Sequence, residues 1–353
     1  GNAGSAYGGM IYLPDGSFAT LNLSSVRVLD NMAYRGGAVY GINIFVSANS
    51  SEFIGNTATQ YGGVAYSGTW VVNNCLFEQN NILIFNAEGA VAYQGTWDIT
   101  NSTFNRNTSS EYGGVFRSVN STIYKSIFSN NTAVLDGGVN YGGSMTANNT
   151  IFVNNSVGRY GGVNYVVAGS IINCTLVNNY DNAGSAIYGG APNIVNSIIW
   201  GTSGTPIRFS SSAITYSNIY GGYAGNGNIS LTPNFIIAPT ADLRLAPHSP
   251  AIDRGTADAT VTTDILGVSR PQFTAYDMGA YEATDLFTTF LHEPIQNSTN
   301  VLPSTNISFY IGDTAASVNT SSIALIVNSF EVPVASLNIT DMGSNSYKVV
   351  YDP

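Results

Sequence analysis

Charge is what this chain has least of. Asp, Glu, Lys and Arg make up 9% of its 353 residues, against about 25% in an ordinary globular domain. Only 11 residues are basic, they form no cluster, and the net charge is −10. That balance offers no electrostatic footprint for nucleic acid or an anionic membrane surface. No apolar run reaches the roughly 18 residues a membrane span requires, so direct insertion of this segment into a bilayer is not expected. The two histidines, His248 and His292, have no Cys or His partner at zinc-ligand spacing. Nothing resembles a nucleophile elbow. Disorder is excluded from the other side, because hydrophobic residues reach 44% and aromatics 12%. Polarity comes instead from Asn, Ser, Thr and Gly, the residues of turns and ladders.

These residues recur on a beat of about 24 residues. A unit reads Phe-x-x-Asn, a spacer, then Gly-Gly-[Val/Ala]-x-Tyr. It runs as Phe53…Asn56 with Gly62-Gly63-Val64-Ala65-Tyr66, and as Phe104…Asn107 with Gly113-Gly114-Val115. It returns as Phe128…Asn131 with Gly137…Tyr141, and as Phe152…Asn155 with Gly161…Tyr165. Weaker copies centre on Val28, Phe77 and Leu176. A unit this short buries its apolar face only by stacking on the next. Each unit holds three strand-like segments: one on the Phe, one after the glycine pair, and one reading Gly-[Thr/Ser]-[Trp/Met/Ile], as in Gly68-Thr69-Trp70. Three short strands and three turns predict an all-β fold, a right-handed parallel β-helix over residues 1–224. The glycine pair suits positive φ or close backbone approach. A column of Ser50, Asn74, Asn101, Asn149, Asn173 and Asn196 suits left-handed turns, with side-chain amides bonded between coils.

Beyond residue 196 the beat loosens, and charges and prolines concentrate. Residues 225–283 are expected to cap the open end of the helix, residues 284–292 to be a linker, and 293–353 to form a partial Ig-like β-sandwich with runs near Val301–Tyr310 and Ile323–Asn328. Tyr7-Gly8-Gly9 reads as the late part of a coil and Lys348–Tyr351 as a strand inside a domain, so the chain is expected to be a piece of something longer.

Cys75 and Cys174 occupy one repeat position four coils apart, about 19 Å at roughly 4.8 Å per coil, beyond disulfide reach. Ser51, Ser102, Ser126 and Thr150 share that position, which reads as a tight packing column. A tyrosine column follows the glycine pair at Tyr40, Tyr66, Tyr93, Tyr141, Tyr165 and Tyr188, broken by Arg117. By strand parity it is a packing ladder facing inward with the Val; with a bend it is an exposed stripe for sugar rings or a neighbouring subunit. The sparse acids Glu88, Glu111 and Asp136 precede three successive glycine turns. Glu111 and Asp136 are the candidate catalytic or cation pair, with Arg159 at the Glu111 position two coils on. Asp253, Asp258, Asp264 and Asp277 are the candidates for holding Ca²⁺, against a role as turn hydrogen-bond acceptors. Sequons for glycosylation include Asn22, Asn101, Asn107, Asn130, Asn154, Asn228, Asn306 and Asn338, some of which the repeat itself would generate.

The Phe-x-x-Asn and Gly-Gly-[Ala/Val]-x-Tyr repeats resemble those of polymorphic outer-membrane proteins and related bacterial surface β-helix proteins. Ser249-Pro250-Ala251-Ile252-Asp253 and Asp277-Met278-Gly279-Ala280-Tyr281-Glu282 resemble the "SPAID" and "GAYE" motifs closing secreted β-helix proteins with variable surface anchors. The tail is similar to bacterial Ig-like modules. The resemblance implies an exported or cell-surface protein, usually without catalysis: an adhesin or a structural subunit of a fibre, sheath or stalk, partnered by itself or by other surface proteins. Two alternatives stand beside it. One is a polysaccharide lyase or hydrolase working through Glu111 and Asp136. The other is a carbohydrate-binding module stacking sugars on the Tyr column or on Trp70 and Trp97.

Overall fold

The 24-residue beat becomes a stack of rungs. The computed structural model describes residues 7–353 apart from 85–86, 166–167, 183, 203, 209–212, 238–241, 247–248, 259, 285–286, 295–303, 314–319, 324, 328–329 and 344–345. His248 and parts of the two predicted runs in the tail lie outside the described residues. Pairing through the repeat region is parallel, each strand bonding to its counterpart one unit away. The Phe strands form a nine-stranded sheet from Arg27–Leu29 to Asn218–Ile219. The strands after Phe-x-x-Asn form a six-stranded sheet from Met32–Arg35 to Ser156–Val157. The other two segments of each unit belong to one 16-stranded sheet, joined where Phe116–Tyr124 and Asn140–Asn148 run straight through the bend. Three faces around one core make the chain a parallel β-solenoid.

In-register stacking sets like on like. Phe53, Phe77, Phe104 and Phe128 are fully buried and pile up with ring centroids 4.6 Å apart. Trp70 and Trp97 stack at 4.7 Å inside the core. Each ring pair adds about 0.5–1.5 kcal/mol beyond its area burial. Both glycines of the pair are required. Gly62 has φ +64, and a Cβ on Gly63 would sit 2.1 Å from the Ala90 carbonyl oxygen of the next rung.

Two asparagine columns divide the work expected of one. Asn74, Asn101, Asn149, Asn173 and Asn196 are in the left-handed region, with φ from 48° to 54°. The buried amide ladder is instead the Phe-x-x-Asn column. Asn107 Nδ2 donates to Asn131 Oδ1 at 2.9 Å and to the Phe77 carbonyl at 3.0 Å; Asn131 repeats this on Asn155 and Phe104. The small-residue column is a second ladder. Ser102 Oγ accepts the Cys75 amide at 3.0 Å, and the Cys75 thiol accepts the Ser51 amide at 3.4 Å. Cys75 and Cys174 are buried, free thiols standing where neighbouring rungs have hydroxyls.

The segment expected as an end cap does two things. Residues 226–229 bond to the last rung: Ile219 N donates to Ile229 O at 2.9 Å and Tyr216 N to Asn226 O at 2.8 Å. The chain then turns back as a strap along the flank of the nine-stranded sheet. Asn149, Asn173 and Asn196 hold its backbone at Thr263, Asp277 and Thr256. Leu243, Ala280, Leu245 and Met278 bury against Ile151, Val153, Val177 and Ile198. Outward positions mix polar and apolar residues on early rungs (Glu52, Ile54, Leu76, Glu78, Thr103, Asn105), whereas under the strap they are mostly apolar, with Thr175 bonded to Ala280 N.

In the tail, Phe287–Glu293 pairs antiparallel with Ile307–Asp313, so most of the expected 284–292 linker is a strand. It edges a four-stranded antiparallel sheet with Ser346–Tyr351 and Leu337–Gly343, beside a hairpin of Leu325–Val327 and Phe330–Val332. Phe309, Ile311, Val332 and Val349 share a core there, which fits a partial sandwich.

Candidate functional site

The tyrosines follow from the glycine turn. Val64 and Ala65 are both buried, so the chain bends and throws Tyr66 onto the outer edge. Tyr66, Tyr93, Tyr141, Tyr165 and Tyr188 are half-buried there, and Tyr40 is buried. The bend decides against the parity expectation. A second column, missed in the sequence, stands directly before the first glycine: Tyr7, Arg35, Tyr61, Glu88, Tyr112, Asp136 and Tyr160. Its signal was visible as alternation of tyrosine with charge at one repeat position.

Each tyrosine of the second column meets a residue of the first column one rung on. Tyr7 meets Tyr40 at 4.7 Å, Tyr61 meets Tyr93 at 4.2 Å, Tyr112 meets Tyr141 at 4.5 Å and Tyr160 meets Tyr188 at 4.3 Å. Where the second column has Glu88, the first has Arg117, and the two form an ion pair at 3.0 Å. Arg117, which breaks the tyrosine column, thus neutralises the acid on its diagonal. Burial pushes the Glu88 carboxyl upward, Arg117 opposes it, and Glu111 adds to it.

Along the first column the rings lie face on face. Tyr40 and Tyr66 are 4.9 Å apart and 11° from parallel; Tyr141 and Tyr165 are 4.8 Å apart and 10° from parallel. Faces covered by neighbouring rings are closed to a sugar, and edges and hydroxyls point outward. Burial raises the phenols of Tyr93, Tyr141 and Tyr165, and that of Tyr40 to about 12 with help from its hydrogen bond to Asp15.

The expected acid pair is placed differently. Asp136 lies in register with Tyr112 and Tyr160, whereas Glu111 shares its column with Leu135 and Arg159. The Asp136 side chain is fully buried and takes Arg159 through Nε at 2.9 Å and through Nη2. Asp136 therefore serves as the counterion of Arg159. Trp70 and Trp97 are core, which removes them as a binding platform.

The candidate Ca²⁺ carboxylates turn to separate backbone amides. Asp253 Oδ1 accepts from Thr274 and Ala275, Asp258 from Thr260, and Asp264 from Leu266 and Val268. Asp277 accepts from Asp253 and Ala283. Among the described residues no three His, Cys, Asp or Glu side chains converge as metal ligands. Of the sequons, Asn22, Asn101, Asn130, Asn306 and Asn338 are exposed and Asn154 is half-buried. Asn107 is a correction: it is fully buried in the amide ladder, with no room for a glycan. Asn228 bonds to Ser217, Ile214 and Tyr223 within the last rung, so its amide is also committed. An open depression of about 310 Å³ lies on the uncovered rungs, lined by Ser50, Glu52, Asn74, Leu76, Asn101 and Thr103.

Fold and ribbon together define a parallel β-solenoid with an aromatic edge. No family model, curated protein or solved structure matches the chain.

Proposed function

We propose that this chain is a non-catalytic extracellular protein of a cell surface, an adhesin or structural subunit of a fibre, sheath or stalk, whose contact face is the tyrosine ribbon. The ribbon carries the reading. It is a rigid, periodic, half-buried aromatic edge, and aromatic residues are enriched where proteins meet. Its hydroxyls repeat with the rungs, which suits a partner of the same period. Sparse charge and continuous internal ladders suit a persistent surface element. The resemblance of the repeats and of Ser249–Asp253 to surface β-helix proteins points the same way. Exposed sequons such as Asn22 and Asn338 would take glycans in an exporting, glycosylating cell. The lyase or hydrolase alternative loses weight because Asp136 is held by Arg159, whereas hydrolysis needs two available carboxylates about 5–10 Å apart.

Electron microscopy of the protein and of the Tyr141→Ser/Tyr165→Ser variant tests the face. Ordered side-by-side association of rods should form and should be lost in the variant. Unchanged assemblies would reject the ribbon as the contact. Turnover of an acidic or neutral polysaccharide, abolished by Glu111→Gln, would reject a non-catalytic role.

A further inference from the structure

Two opposite charges on the ribbon edge have no oppositely charged partner among the described residues. Six arginines are ion-paired with Asp or Glu, Arg117 and Arg159 of the ribbon among them. Arg35 is not. Its Nε donates to the neutral Gln60 at 2.8 Å, and its guanidinium lies 5.2–5.9 Å from the ring centres of Tyr7, Tyr34, Tyr61 and Tyr66. Glu111 is half-buried on the same edge and forms no ion pair among the described residues. Glu88 of the ribbon, which Glu111 pushes further upward, carries the same sign.

Register fixes their separation. Arg35 pairs with Tyr61, Tyr61 with Glu88, and the rung of Glu88 bonds to the rung of Glu111 through Gly89 N and Tyr112 O. Three rungs at roughly 4.8 Å span about 14 Å. Building on the reading of the ribbon as a contact face, we propose that a second copy of this chain docks on it antiparallel. The two-fold axis passes midway between the Tyr61 and Glu88 rungs, and Arg35 of each copy meets Glu111 of the other.

Symmetry selects this arrangement. A two-fold contact must satisfy residue i against j and j against i. A cation and an anion three rungs apart on one edge do so when the copies run antiparallel. Parallel, in-register apposition would set Arg35 against Arg35. Equal rung spacing in both copies keeps the intervening tyrosine edges in step. Each unpaired charge is then neutralised beside aromatic rings, where a cation is already favoured, and the charge pattern sets the register.

Sedimentation of the intact chain gives the test. The expected result is a dimer that weakens with salt. Arg35→Glu and Glu111→Arg should each raise the dissociation constant by roughly tenfold or more. Mixing the two single variants should restore a one-to-one dimer, because every contact then joins unlike charges. Rescue by mixing is something a folding defect could not produce. A monomer at every salt concentration, a dimer indifferent to either reversal, or variants that fail to pair on mixing would each overturn the proposal. So would oligogalacturonate binding at Arg35 by a chain that stays monomeric. Ordered assemblies that survive both reversals yet fall to Tyr141→Ser/Tyr165→Ser would keep the ribbon and reject this pairing.

Discussion

One side chain in each rung does what no hydrocarbon of its size can. Asn131 donates to Asn155 and to the Phe104 carbonyl while its oxygen accepts the amide and side chain of Asn107. Asn131→Ala strands donors and acceptors on two neighbouring rungs, and a buried group left without a partner costs about 1–3 kcal/mol. The denaturation midpoint should show a loss of roughly 2–4 kcal/mol, whereas Asn22→Ala at the exposed surface should stay within about 0.5 kcal/mol. The thiols obey the same logic. Cys174 is fully buried, and burial raises it to about 12, so it should ignore thiol reagents until the chain unfolds. Cys174→Ser should cost less than about 1 kcal/mol, since Ser102 and Ser126 already make the ladder bonds that position requires. Fast labelling of the folded protein would contradict this. At this scale the sequence was legible in spacing and less so in role. The repeat showed two Asn columns, but both suit turns. Only the path of the backbone reveals that Asn107 points inward, which is why its sequon reads as a surface site.

The elements were legible where period governs and obscure where it stops. Three strands per unit follow from Phe, Gly-Gly and Gly-[Thr/Ser] recurring together. The strap has no period, so its course depends on contacts far apart in sequence, such as Ala280 N to Thr175 Oγ1 at 2.9 Å. One signal did exist: Ile151, Val153, Val177 and Ile198 make the outward positions almost continuously apolar, where earlier rungs mix Ile54 and Leu76 with Glu52, Glu78, Thr103 and Asn105. Under the strap, Arg270 and Glu282 form an ion pair at 2.6 Å with both side chains almost wholly out of water. Removing one partner of such a pair typically costs about 3–5 kcal/mol. Burial, with the Glu282 charge, raises Asp277; burial, only partly offset by Arg270, raises Glu282. Both carboxyls thus hold protons to higher pH in the folded chain than in the unfolded one. Stability from these groups is greatest near pH 4 and declines as pH rises through their elevated range. Hydrogen exchange at Gly279 and Ala280 should therefore quicken relative to the intrinsic rate from acid to neutral pH, and Asp277→Asn should flatten that trend. Tighter docking at neutral pH would refute the assignment.

For the whole molecule, the architecture was the most legible feature, because a repeat of about 24 residues leaves stacking as the way to build a core. The face it presents was half legible. One tyrosine column was visible, but its direction depended on the bend after Gly62-Gly63, and the second column emerged only when rungs were set in register. Together they place tyrosine hydroxyls, two tied ion pairs at Glu88–Arg117 and Asp136–Arg159, and two charges without an opposite partner among the described residues along a single edge. The most direct test is electron microscopy of the wild-type chain beside Tyr141→Ser/Tyr165→Ser. The account predicts ordered side-by-side rods in the first and dispersed single rods in the second. Dispersed rods in both, or equal order in both, would contradict it.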